Sequence, residues 1–287
     1  MNVLALAGPA LPGFQQAVLV PFLRSDEHPI VGCLIDARPR RPLRERLTVN
    51  LRRGRGGYVI VMAVNLLLRR REAKLDTRQF FERRGIRTVR TVEPYGEPAL
   101  AWIRELRPDV MILLGGFGVV RAPLLAIAPH GVLSYHHGDM RRYRGQPPAF
   151  WELYNGERAL GLTVQRLTEE LDAGEPIVER RIEIYPGDSL RSLRERADEA
   201  SVGMMFEAVA RLGAPGFRPE RVEWLGHLYT LPNLHQWLLF QLKMVLRLGA
   251  RLRARRQPVH AAPNRVARAP FGPAHHASAR RGQGSVV

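Results

Sequence analysis

Through the first half of the chain, short continuous apolar runs alternate with segments whose apolar residues recur every three or four positions. "VLALAG" (3–8), "PIVGCLID" (29–36) and "DVMILLGG" (109–116) are apolar almost throughout, as strands covered on both faces must be. "IRTVRTVE" (86–93) is a more mixed strand, and "GVLSYHH" begins another at Gly131. Between them the spacing predicts helices over 14–23, within 58–84, near 99–106 and near 119–128. Strands alternating with helices at this interval predict an α/β fold with a doubly wound, mostly parallel sheet. Farther on, "LGLTVQRLT" (160–168) and "EPIVERRIEI" (175–184) alternate apolar and polar residues around "EELDAG", the pattern of a strand, a tight loop and a returning strand. Residues 188–212 read as one helix with Asp188 as its N-cap. The stretch 234–256 reads as a strongly apolar helix with a basic end, and Pro, Ala, Gly and Arg dominate from 257, a composition expected to be disordered. The expected division is a main α/β unit over 1–212, a helical extension over 213–256 and a basic tail over 257–287.

Composition changes this picture little. A chain of 287 residues with 45% hydrophobic and 25% charged residues can bury a full core. Cys33, the single cysteine, lies in an apolar run and reads as a buried thiol, which favours a reducing cytoplasm. The N-terminus has no basic segment ahead of its apolar residues and reads as a first strand, and "YVIVMAVNLLL" (58–68) is too short to cross a bilayer as a helix. The expectation is a cytoplasmic protein without a transmembrane segment.

The net charge is +17. Lys74 and Lys243 are the only lysines, so the excess is arginine and looks like coding bias more than a phosphate-binding face. Beyond Gly213, twelve basic residues stand against Glu220 and Glu223. The long helix there suits packing on the main unit or on a second copy of the chain, with a membrane surface or RNA as the alternatives.

In a parallel sheet, ligands bind at the carboxyl ends of the strands. "LLGGFG" and "VLSYHHGDMRRYRGQPP" both occupy such ends. His136 and Asp172 are 36 residues apart, a distance that a strand, turn and strand can close. A histidine oriented by a carboxylate moves protons near neutral pH. A metal site from His136, His137 and Asp139 is the rival reading, opposed by the alternation that sends neighbouring side chains to opposite sides of an extended segment.

The chain resembles the folate-dependent formyltransferases, whose signature reads Asn-x-His-Pro-Ser-Leu-Leu-Pro-x-Tyr-Arg-Gly with a later Leu-Asp-x-Gly loop. Here the corresponding residues run Ser134-Tyr135-His136-His137-Gly138-Asp139-Met140-Arg141-Arg142-Tyr143-Arg144-Gly145, then Leu171-Asp172-Ala173-Gly174. The resemblance implies a Rossmann-like fold and 10-formyltetrahydrofolate as formyl donor. It implies that His136 is the catalytic histidine and Asp172 the catalytic aspartate, with Ser134 at the asparagine position. It also implies that Leu114, Gly116, Phe117, Glu169, Glu170, Leu171 and Gly174 wrap the pterin, although Phe117 is equally suited to the core. Arg142, Tyr143, Arg144 and Gly145 are then expected to hold a small, anionic amine acceptor resembling an amino-sugar nucleotide.

The departures matter as well. Replacing the asparagine by Ser134 removes an amide donor of a kind worth about 100- to 1,000-fold in rate. His137 stands at the proline position, a pairing similar to that of the formyltetrahydrofolate hydrolases. "AGPALPG" after the first strand offers few free backbone donors, which disfavours a glycinamide ribonucleotide acceptor. The segment beyond Leu212 is too poor in strands for the barrel-like second domain of methionyl-tRNA enzymes, which disfavours tRNA. The alternatives are a methionyl-tRNA formyltransferase-like enzyme, which the basic surplus keeps open, a hydrolase and an inactive binding protein of the same fold.

Overall fold

Strand β1 (Val3–Ala7) is buried at all five positions, because apolar cover meets both of its faces. The computed structural model describes residues 1–39, 42–52, 74–170, 173–219 and 221–254. After β1 come β2 (Ala10–Leu11), α1 (Gly13–Leu23), β3 (Ile30–Asp36), α2 (Leu43–Arg52), β4 (Leu75–Asp76), α3 (Thr77–Glu82), β5 (Thr88–Thr91), α4 (Glu97–Leu106) and β6 (Val110–Leu113). The chain continues through α5 (Leu124–Ile127), β7 (Val132–His136), β8 (Tyr143–Gly145), α6 (Phe150–Asn155), β9 (Ala159–Arg166) and β10 (Glu175–Glu183). It closes with α7 (Leu190–Ser201), α8 (Met204–Gly213), β11 (His227–Tyr229) and α9 (Leu234–Ala254).

Seven strands form one sheet in the order β10-β9-β7-β6-β1-β3-β5. The five from β5 to β7 are parallel, and β9 and β10 are antiparallel additions, as the sequence pattern leads one to expect. Side-chain parity builds two cores. Val3, Ala5 and Ala7 face one and Leu4 and Leu6 the other; Val110 and Ile112 part from Met111, and Leu133 from Val132, in the same way. That parity sends Ser134 and His136 to the Val132 side and Tyr135 to the opposite one. The chain leaves β1 toward β3 and later crosses back to β6, so a ligand crevice is expected at the carboxyl ends where the order reverses.

Three local expectations are corrected. The helix expected over 119–128 is confined to Leu124–Ile127, because Gly115, Gly116 and Gly118 all hold positive φ and carry the chain as a loop. The helix expected over 188–212 breaks after Ser201, and Gly203 starts α8. Its N-cap is Ser189, whose Oγ accepts from Ser192 N (3.0 Å) while Ser192 Oγ accepts from Ser189 N (2.9 Å). Asp188 sits outside this box and pairs with Arg196 (2.6 Å). Of the helix expected within 58–84, residues 53–73 lie outside the described residues, as does the tail from 255.

The C-terminal segment docks on the main unit. β11 pairs in parallel with β8, and the Phe240 ring of α9 lies 4.3 Å from that of Phe150. Lys243 Nζ donates to Tyr154 O (2.5 Å) and Arg247 Nη2 to Leu153 O (3.4 Å), carbonyls at the end of α6, the second of which also accepts from the C-cap Gly156 N (3.3 Å). Two of the cations of α9 thus turn inward, and its outer face carries Leu238, Leu242, Val245 and Leu246. Among the described residues no helix is long and apolar enough to cross a membrane.

Gly145 holds φ +94°, and a Cβ there would overlap the Tyr229 carbonyl. Gly145→Ala is expected to cost at least about 1–3 kcal/mol from backbone strain, read as a lower Tm. Faster amide exchange should accompany it at Gln146, whose N–H bonds Tyr229 O (3.1 Å).

Candidate active site

β7 and β9 pair so that Ser134 lies opposite Gln165 and His136 opposite Thr163. Opposite residues share a sheet face, so these four side chains form one group at the carboxyl end of β7. His136 is 7% exposed, and its Nε2 lies 2.9 Å from Tyr143 O. A carbonyl only accepts, so Nε2 carries the hydrogen and Nδ1 is the nitrogen that titrates. The Tyr143 carbonyl arrives there through a tight turn in which Asp139 O accepts from Arg142 N (2.8 Å) and Tyr143 N (2.6 Å). Two glycines make the approach possible. A Cβ on Gly138 would stand 2.7 Å from His136 Nε2 and 2.8 Å from Tyr143 O, inside the bond itself. A Cβ on Gly161 of β9 would stand 2.6 Å from Asp139 N and push the loop away.

His137 points to the other side. Ser201 Oγ donates to Ala197 O (2.7 Å), so its oxygen is left to accept from His137 Nε2 (3.2 Å). Burial first, then the charges of His136 and Arg194, push His137 down to about 4, which keeps it neutral near pH 7. The two histidines therefore diverge. Among the described residues no group of three or more His, Cys, Asp or Glu side chains could hold a metal ion.

Ser134 opens on a cavity of about 160 Å³ under the first turn of α1, walled by Phe14, Val18, Leu113, Leu114 and Tyr135. Gln15 also lines it, and its buried Oε1 lacks a hydrogen-bond partner among the described residues. Gln165, 1% exposed, accepts from Gly174 N (3.1 Å) and so fixes the end of the acidic loop beside Ser134. Leu171 and Asp172 lie outside the described residues. Around them, Thr168 Oγ1 donates to Ala173 O (3.2 Å), and Glu169 and Glu170 are exposed.

The remaining predicted residues divide. Leu114 joins the Ser134 cavity, whereas Gly116 and Phe117 border a separate one of about 530 Å³ beside Asp36 and Arg38. The Phe117 ring is fully buried in the second core, so its backbone is what it can offer a ligand. Arg142 forks onto Glu157 (2.6 and 3.0 Å), and Tyr143 OH donates to the same carboxylate (2.7 Å); these two residues build the loop. Burial pushes the Tyr143 phenol up. Arg144 does border the small cavity at His136, donating to Gly226 O (2.9 Å) and to the exposed Glu170 (3.2 Å). Gly138 was read only as a change in the entry loop, and Gln15, Glu152 and Gln165 escaped the sequence reading. The glycine after two histidines was a readable signal; the others acquire their positions only through packing.

The family model described as Formyl transferase matches residues 63–209. A Geobacter metallireducens protein named methionyl-tRNA formyltransferase is 32% identical over 131 residues, 46% of this chain and 42% of that one. Its Geobacter sulfurreducens namesake is 35% identical over 121 residues, 42% and 37% of the two chains. The matched part thus spans less than half the length of these relatives. Among solved structures, glycinamide ribonucleotide transformylase 1 from Symbiobacterium toebii has a TM-score of 0.51 at 18% identity, covering 78% of this chain and 94% of that one. A sugar N-formyltransferase from a Shewanella species reaches 0.54 at 15% identity, covering 85% and 87%. Both share the doubly wound fold. With the family model covering just over half its length, this chain belongs to the formyl transferase family.

Proposed function

We propose that the protein transfers a formyl group from 10-formyltetrahydrofolate to the amine of a small acceptor. The observation that carries this reading is the buried His136 at the carboxyl end of β7, with Nε2–H held on the Tyr143 carbonyl and Ser134 on the same sheet face. Bound there, the donor supplies an electrophilic formyl carbon on a nitrogen able to leave. The residues present fit its flat heterocycle. Leu113, Leu125 and Leu167 are half-buried against the second core, next to glycines at 115, 116 and 118 whose backbone amides no Cβ screens.

On the α1 side, the unpartnered Gln15 Oε1 calls for an N–H or O–H donor, which an acceptor amine provides. His136, protonated at Nδ1 as well, donates to the oxygen on which negative charge gathers when the amine attacks. Asp172, by its place in the family motif, orients the imidazole. An anionic group on the acceptor suits Arg144, because the exposed Glu170 is a single, displaceable contact. Arg142 is less suited, since the half-buried Glu157 already takes its whole fork.

The test is tetrahydrofolate release from 10-formyltetrahydrofolate by purified protein, with water alone, with small amines including amino-sugar nucleotides, and with methionyl-tRNA. Release that requires a small amine is expected. Release with water alone would make the protein a hydrolase, release only with the tRNA would replace the acceptor class, and none would leave a binding role. His136→Ala is expected to lower kcat by at least about 100-fold and Asp172→Ala to abolish turnover, with unchanged circular dichroism in both. Gly138→Ala should also lose activity, because its Cβ enters the His136–Tyr143 bond. Ser134→Asn should maintain or raise the rate, and a large loss there would mean that the hydroxyl has a role of its own.

A further inference from the structure

Beneath His136 lies a second carboxyl that this mechanism does not use. Glu152, the third residue of α6, is 3% exposed, and its neighbours Phe150, Trp151 and Leu153 are buried with it. It borders a cavity of about 10 Å³ together with His136, His137, Tyr143, Arg144 and Trp151. That is room for about one water.

Burying a carboxylate is costly unless a cation or several hydrogen bonds compensate. Among the described residues no Arg, Lys or His nitrogen reaches ion-pair distance of Glu152. Burial pushes its carboxyl up to about 7; its own backbone N–H and the charge of His136 pull it down, and Glu157 and Asp139 push it up. The other charges that face this space are committed. Arg144 is on Gly226 O and Glu170, and His137 is neutral on Ser201; Arg194 donates to Pro148 O (3.1 Å) and faces both Asp198 and Glu152. His136 and Arg194 are the two cations that act on Glu152, and of these His136 shares its cavity.

We propose that Glu152 is a positioning residue for His136, its carboxylate charge acting across the cavity they share to set the protonation of the ring. The proposal rests on formyl transfer as the activity. During transfer a C–N bond forms from the acceptor nitrogen to the formyl carbon, and the bond from that carbon to the donor nitrogen breaks with its electron pair going to the donor nitrogen. The acceptor nitrogen loses one proton and the donor nitrogen gains one. The proton that His136 passes to the donor nitrogen is made good by the one the amine gives up, so none accumulates, and the charge of Glu152 sets how far the ring is protonated at the start.

The experiment follows the His136 ring nitrogens by NMR in ¹⁵N-histidine-labelled protein, in the wild type and in Glu152→Gln, alongside kcat and KM against pH. Without the carboxylate the His136 titration should move to lower pH by about half a unit or more. Above pH 7, kcat should fall by about three- to tenfold with KM unchanged, and Glu152→Asp should recover part of it. Should Glu152→Gln not fold, the ¹³C-labelled Glu152 carboxyl of the otherwise intact protein serves instead: it should titrate near neutrality and move upward in His136→Gln. An unmoved His136 titration with an unchanged kcat profile, or a carboxyl indifferent to His136, overturns the proposal. Coupling without formyl transfer would retain the hold of Glu152 on His136 and remove the activity, whereas formyl transfer without coupling would remove the role of Glu152.

Discussion

The hydrogen bond from His136 Nε2 to the Tyr143 carbonyl depends on two backbone approaches that no side chain would permit, at Gly138 and at Gly161. Much of the site follows from that closure. Once residues 138–143 lie against β9, the ring of His136 is fixed in one tautomer, Arg142 and Tyr143 reach Glu157, and β8 meets β11 edge to edge. α6 is then held between this loop and α9. A six-residue helix has no stability of its own, so the Phe240–Phe150 contact and the inward-facing Lys243 and Arg247 are what keep Trp151 and Glu152 at the histidine. The C-terminal segment is in this sense a wall of the site.

Charge serves the fold in the same way. Arg141 pairs with Glu179, Arg166 with Glu175, Arg180 with Glu207 and Arg196 with Asp188, tying the site loop, the antiparallel strands and the flanking helices together. These arginines brace the fold internally; each pair cancels in the charge count, so the net charge of +17 is carried by the other cations.

The sheet was largely legible from apolar runs, because β1, β3 and β6 are covered on both faces and β9 and β10 alternate. Strand alternation also separated His136 from His137, and the motif singled out the first. Features that depend on contacts between distant segments were hidden. Asp188 and Ser189 are both good caps, and the choice fell to Ser189 because Ser192 completes a reciprocal pair with it. Arg142 looked like a substrate ligand because Glu157 becomes its neighbour only after the loop closes. Gln165 acquires its place from the β7–β9 register, and Glu152 from the packing of α6 between the site loop and α9; neither position carries a local pattern that marks it.

The central claim is that the formyl group reacts at His136, between the half-buried leucines and the α1 cavity. A crystal structure with a hydrolysis-stable analogue of 10-formyltetrahydrofolate tests it most directly. The formyl oxygen of the analogue is expected within about 3 Å of a His136 ring nitrogen, with the heterocycle against Leu113, Leu125 and Leu167. An analogue seated in the cavity beside Asp36 and Arg38, away from His136, would contradict it.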